Sequence, residues 1–124
     1  MIARDIMTRH VYTTTPEATV RDAAHVLAER HISGMPVVDP VGTIIGMLTE
    51  ADIISKQGER VEDIMSREII SVSVETPVGE IAQLLSQKKI KRVPVLIDGR
   101  LVGLVSRADI VAAVADGHLI IRQW

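Results

Sequence analysis

One stretch of this chain occurs twice. Gly46-Met47-Leu48-Thr49-Glu50-Ala51-Asp52-Ile53 returns as Gly103-Leu104-Val105-Ser106-Arg107-Ala108-Asp109-Ile110, and Asp5-Ile6-Met7-Thr8 returns as Asp63-Ile64-Met65-Ser66. Between these landmarks Glu17 matches Glu75, Val20 Val78, Ala24 Ala82, Leu27 Leu85, Ile32 Ile90, and Pro36-Val37 Pro94-Val95, all at a spacing of 58 residues. The spacing then falls to 57, and the turns account for the lost residue. Asp39-Pro40-Val41-Gly42 has the residue placement of a type I turn, whereas Asp98-Gly99 is a two-residue hairpin signal. A period of this size means a repeat architecture whose halves share a core.

Within each copy, periodicity and punctuation predict the same order of elements. Short β-branched strands are expected over Val11–Thr14 and Ile69–Ser73. A helix follows over Val20–Arg30, with Val20, Ala23, Ala24 and Leu27 on one face and Thr19 and Asp22 placed for a capping box. Its counterpart runs over Val78–Lys88, with Thr76 as N-cap and Pro77 in the first helical position. Met35–Val38 and Val93–Ile97 are second strands, Thr43–Leu48 and Leu101–Val105 third strands, and a second helix starts at Thr49 or Ser106. Each copy therefore reads β-α-β-β-α. A unit of this kind cannot close its own core, so the fold expected is α/β (α+β), two pseudo-two-fold related repeats packed sheet to sheet. Repeat 1 covers residues 1–57, and repeat 2 covers residues 58–124 with a C-terminal tail. For the tail after Gly117 an edge strand and a partner contact both stay open.

Composition removes several function classes. No cysteine is present, which excludes disulfides, thiolate metal sites and thiol nucleophiles. Aromatic residues make up 2% of the chain, so base-stacking platforms are not expected. A net charge of −2 offers no general attraction to nucleic acid or an anionic membrane. There is no apolar run of signal-peptide or membrane-spanning length, and the chain is read as cytoplasmic. His10, His25, His31 and His118 lie on different elements without metal-ligand spacing, so no metal is expected.

The duplicated Thr49-x-x-Asp52 and Ser106-x-x-Asp109 carry what chemistry there is. A hydroxyl and a carboxylate one helical turn apart serve as a capping box, and the same pair can hold a polyol or a phosphate. The two roles are compatible. Lys88, Lys89, Lys91 and Arg92 likewise read as complement to a helix C-terminus or as an anion-facing cluster. Gly34 and Gly46 are open to a purely conformational reading, and Pro36 and Pro94 to that of strand openers. Neither hydroxyl has a histidine or lysine base repeated beside it, so no catalytic residues are assigned and the chain is read as not an enzyme.

The doubled Asp-Ile-Met-Thr/Ser, the segments Met35-Pro36-Val37-Val38 and Val93-Pro94-Val95-Leu96, and the doubled Gly-x-x-Thr/Ser-x-x-Asp together resemble a tandem pair of CBS domains, the Bateman module. The resemblance covers residues 1–116 and implies a small stand-alone regulatory protein. Its ligand would be AMP, ADP, ATP or S-adenosylmethionine, held in two clefts between the repeats, with no other cofactor required. In one implied cleft, Ser106 and Asp109 join Ser33, Gly34, Met35 and Pro36, with His10 and Tyr12 alongside. In the other, Thr49 and Asp52 join Lys91, Arg92, Val93 and Pro94, with Glu68 and Ile70 alongside. The acids would take the ribose hydroxyls, the hydroxyl side chains a phosphate oxygen, and Met35, Met47 or Val93 the adenine faces. The cationic cluster makes the second cleft the one expected to favour more phosphorylated ligands.

Under this reading the bound state passes to an unidentified effector protein or to the second copy of a homodimer formed through the second helices, with their Ile53-Ile54 and Ile110-Val111-Val114. The competing reading is a ligand-free homodimerisation or scaffold module.

Overall fold

The computed structural model describes residues 1–117; the tail from His118 to Trp124, including the expected edge strand or partner contact, lies outside the described residues. In chain order the elements are α1 (Ala3–Ile6), α2 (Val20–Arg30), β1 (Gly34–Val38), β2 (Ile44–Thr49), α3 (Glu50–Ser55), α4 (Val61–Ile64), β3 (Val72–Ser73), α5 (Val78–Lys88), β4 (Arg92–Ile97), β5 (Arg100–Ser106) and α6 (Arg107–Ala115). This is a mixed α/β fold with two small sheets, one of order β1-β2 and one of order β3-β4-β5. The chain forms two compact units that cross the boundaries of the sequence repeats. One is Val11–Ile69, and the other joins Met1–His10 to the chain from Ile70 onward.

In the unit Val11–Ile69, α2 begins where the Thr19 hydroxyl accepts the Asp22 N–H at 3.1 Å. It ends at His31, which takes a left-handed conformation (φ 53°) so that its N–H meets the Leu27 carbonyl. The face carrying Ala23 and Leu27 packs on Met35, Val37 and Leu48 of the β1-β2 hairpin and on Val61, Ile64 and Met65. The hairpin is antiparallel, with Gly34 opposite Thr49 and Pro36 opposite Met47. Its turn is held by Asp39, whose carboxylate accepts the N–H groups of Val41 at 3.0 Å and Thr43 at 2.9 Å. Burial of aliphatic side chains of this kind is worth about 1.5–3 kcal/mol each, and it is what holds so short an α2 helical.

The other unit repeats the scheme. Val78, Ile81 and Leu85 of α5 pack on Val93, Val95 and Val105 of the β4-β5 hairpin, with Ala3 and Ile110 completing the buried set. Asp98 and Gly99 both have positive φ, 50° and 79°, as the two-residue hairpin turn requires.

Three departures from the sequence reading have physical causes. The strand expected over Val11–Thr14 shrinks to a single bridge between Thr14 and Val37, and that over Ile69–Ser73 to Val72–Ser73. Parallel ladders need an N–H from the partner strand at alternate residues, and Pro36 and Pro94 stand where the next rungs would be. Thr76 does not cap α5; its hydroxyl accepts the Ser73 N–H at 3.0 Å, and Pro77 occupies the cap position. The short helices α1 and α4 were not expected from periodicity. They form because Asp5 and Asp63 accept the N–H groups of Ile2 at 2.9 Å and Arg60 at 3.0 Å.

The end of each short helix then docks on a hairpin. Ser66 exchanges both backbone hydrogen bonds with Met47, each at 2.9 Å, and Thr8 does the same with Leu104 at 2.9 and 2.8 Å. The preceding strand residues, Gly46 and Gly103, are therefore glycine for reasons of space. A Cβ on Gly46 would lie 2.8 Å from the Ser66 carbonyl oxygen, and one on Gly103 2.6 Å from Met7 Sδ and 3.1 Å from the Thr8 carbonyl oxygen. Gly46→Ala is expected to cost about 1–3 kcal/mol, because rigid backbone must yield. Gly103→Ala should cost less, since the closest atoms belong to the flexible side chain of Met7; urea denaturation of both variants checks the order.

Candidate functional site

The candidate residues sit where strands β2 and β5 give way to helices α3 and α6. Alternation along β2 buries Ile44, Gly46 and Leu48 and leaves Thr49 at the rim, half-buried. Ser106 ends β5 in the same way. In both, the hydroxyl-bearing residue is the helix N-cap with extended backbone, and the acid is the third helical residue.

Each hydroxyl–acid pair forms the reciprocal cap. Asp52 Oδ2 accepts the Thr49 N–H at 3.0 Å and the Thr49 hydroxyl at 3.2 Å, while the Asp52 N–H reaches Thr49 Oγ1 at 3.3 Å. Asp109 Oδ2 accepts the Ser106 N–H at 2.9 Å, and the Asp109 N–H reaches Ser106 Oγ at 3.2 Å. Beyond the cap the two acids differ. Asp52 is 8% exposed, and its Oδ1 pairs with the Lys56 ammonium at 2.9 Å; that ammonium also donates to the Ile64 carbonyl at 3.1 Å. Asp109 is half-buried and instead faces the Thr8 hydroxyl, at 3.3 Å from Oδ1 and 3.4 Å from Oδ2. It also borders a hollow of about 290 Å³ whose lining includes Asp5 and Asp116.

The pre-proline segments lie on the strands antiparallel to these caps. Gly34 is opposite Thr49, and the Ser33 carbonyl accepts the Glu50 N–H at 2.9 Å. Arg92 is opposite Ser106, the Lys91 carbonyl accepts the Arg107 N–H at 3.0 Å, and the Ile90 carbonyl takes Arg107 Nε at 3.1 Å. Each unit thus brings a hydroxyl–acid pair beside the pre-proline segment of the same repeat. Tyr12, Ser33, Gly34, Met35, Pro36, Thr49, Asp52 and Glu68 belong to the unit Val11–Ile69, and His10, Ile70, Lys91, Arg92, Val93, Pro94, Ser106 and Asp109 to the other.

Burial assigns some of these residues a core role. Met35 is 1% exposed and Val93 fully buried, each inside its unit's apolar core, and Pro36 and Pro94 are under 2% exposed. Little of these four side chains is open to solvent. Met47 is half-buried, while His10, Glu68 and Lys91 are exposed. The Arg30 guanidinium stacks over the Tyr12 ring, 4.9 Å from its centre. Lys88 ends α5 and Lys89 follows with φ 54°, so these two lysines complement the helix C-terminus. Two partners of the acids escaped the sequence reading: Lys56 and Thr8. The first was visible as an acid–lysine pair at i,i+4; the second, 101 residues from Asp109, was not.

Among the described residues no cluster of three metal-ligating side chains occurs, and no helix is long and apolar enough to cross a membrane. The CBS domain family model matches the chain twice, over residues 3–59 and 61–116. The chain is a tandem pair of CBS domains. It is similar to CBS pairs of known structure: CBSX2 in complex with AMP, with 27% identity and a TM-score of 0.90 over 95% of this chain and 98% of that one. It is also similar to the CBS domain pair of protein MJ0100 in complex with 5-methylthioadenosine and S-adenosyl-L-methionine, with 29% identity and a TM-score of 0.86 over 94% and 98%. Among curated proteins it is 35% identical over 109 residues to the inosine-5'-monophosphate dehydrogenase of Thermoplasma acidophilum. That match covers 86% of this chain and 22% of the dehydrogenase, so this CBS pair spans about a fifth of that enzyme's length.

Replacing either acid removes a cap, and the cost should differ between the two. Asp109→Ala is expected to cost about 1 kcal/mol, the usual value of a helix cap. Asp52→Ala should cost about 2 kcal/mol, because the half-buried Thr49 N–H and hydroxyl both lose their acceptor and Lys56 loses its counter-charge. Urea unfolding of the two variants without ligand measures the difference.

Proposed function

We propose that this CBS pair is a regulatory module that binds an adenosyl ligand and passes the bound state to a partner. The observation that carries this reading is the match, over nearly the whole chain, to CBS pairs solved with AMP and with 5-methylthioadenosine and S-adenosyl-L-methionine. The ligand class is AMP, ADP, ATP or S-adenosylmethionine. The repeats 1–57 and 58–124 act as one module with two clefts. One uses Ser106 and Asp109 with the Ser33–Pro36 backbone, His10 and Tyr12; the other uses Thr49 and Asp52 with the Lys91–Pro94 segment, Glu68 and Ile70.

A carboxylate accepts both hydroxyls of a ribose, the hydroxyl side chain meets a phosphate oxygen, and adenine reads its edge against strand backbone. Met35 and Val93 shape those strands from the core without touching the base. Lys91 and Arg92 give the second cleft its cations, so it takes the more phosphorylated ligand. The module is non-catalytic, its switching coming from the difference in ligand affinity between two arrangements.

A second observation bears on the partner. Ile54 is 84% exposed on α3, and Val111, at the matching position on α6, is 65% exposed. Aliphatic side chains at matching places on both second helices suit a symmetric homodimer in a cytoplasmic setting. Ile54→Glu combined with Val111→Glu should turn a dimer into a monomer in light scattering at unchanged helix content.

Thermal shift with AMP, ADP, ATP, S-adenosylmethionine and NAD tests the ligand reading. A ligand at 100 times its dissociation constant adds about 2.7 kcal/mol of stability. Asp52→Ala should weaken ATP binding more than AMP binding, and Asp109→Ala the reverse. No shift from any of the five at millimolar concentration would leave the ligand-free scaffold as the function.

A further inference from the structure

The two acids proposed to hold a ribose are not equally available to one. Asp52 has about four acceptor positions on its two oxygens. Two on Oδ2 are taken by the Thr49 N–H and hydroxyl, and one on Oδ1 by the Lys56 ammonium at 2.9 Å. The ammonium has a second anchor, donating to the Ile64 carbonyl at 3.1 Å. Asp52's side chain is only 12% exposed and that of Lys56 46%, so the pair is sheltered from water on its carboxylate side. In the other repeat Ala113 stands at the position matching Lys56, and beyond the Ser106 N–H of its own cap Asp109 meets, among the described residues, the neutral Thr8 hydroxyl at 3.3 and 3.4 Å.

We propose that Lys56 is a specificity-determining residue that occupies the ribose acceptor at Asp52, making this site poor for ligands held by their sugar alone and selective for phosphorylated ones. The inference rests on the reading of Thr49–Asp52 as a ligand site. A ribose diol must displace the ammonium from Oδ1 or share a carboxylate whose charge it has neutralised, whereas a phosphate gains from the same positive charge. Asp109, with no ion pair among the described residues, accepts the diol at no such cost. The two sites therefore differ in what they measure: one weighs the sugar, the other the phosphate.

The test measures adenosine and ATP by calorimetry in an Asp109→Ala background, so that only the Asp52 site is read. Lys56→Met keeps the aliphatic stem and removes the charge; it should tighten adenosine about tenfold, the worth of a charge-assisted hydrogen bond, and lower the preference for ATP. Lys56→Arg should behave as the parent, and 2',3'-dideoxyadenosine should show no gain in Lys56→Met. A merely structural role for Lys56 predicts the opposite, since a loosened α3 weakens every ligand. Adenosine affinity unchanged or reduced in Lys56→Met, with ATP still bound, overturns this inference and leaves the site reading intact. Neither probe binding to any variant, with native circular dichroism, overturns the site reading and this inference with it.

Discussion

The structure depends on a close approach of backbone to backbone. Where the segment ending at Ser66 or Thr8 meets its hairpin, two hydrogen bonds form with Met47 or Leu104, and the neighbouring residue has no room for a Cβ. This contact ties a segment from one sequence repeat to the hairpin of the other within each compact unit. The duplicated Asp-Ile-Met motif belongs to the same device. Its acid caps a four-residue helix, its isoleucine and methionine pack against or within an apolar core, and the next residue makes the bonds. Glycine, acid and methionine are parts of one joint, which is why they recur together.

That joint also places the groups that distinguish the two acids. Thr8 follows Met7 and so arrives beside Asp109; Ile64 ends α4, and its carbonyl holds the ammonium that reaches Asp52. The same docking thus delivers a neutral donor in one unit and braces a cation in the other. A change of one residue type at matching positions, Lys56 against Ala113, is enough to give two similar caps different electrostatics.

Much of this was legible beforehand, and the reasons are local. Helices α2 and α5 begin and end where periodicity placed them, because an amphipathic face is a property of a short window. The hairpins were readable from their turn residues. Misread elements needed partners from far along the chain. Pro36 and Pro94 curtail strands paired 23 residues before them; Thr76 is the local exception, its hydroxyl accepting the N–H of Ser73, three residues back, instead of capping the helix. Met35 and Val93 looked like ligand walls by neighbourhood but lie in the cores, since β1 and β4 are covered on both faces.

By itself the sequence determined the repeat, the order of elements, the caps at Thr49–Asp52 and Ser106–Asp109, and the family. All of these are written in spacing and residue type, which short-range physics converts directly into structure. Only the tertiary structure decided which copy of the leading segment joins which hairpin, why Gly46 and Gly103 are glycine, and what faces each acid. Those outcomes rest on atoms distant in sequence brought within about 3 Å, where sterics and hydrogen-bond geometry, not periodicity, select the partner.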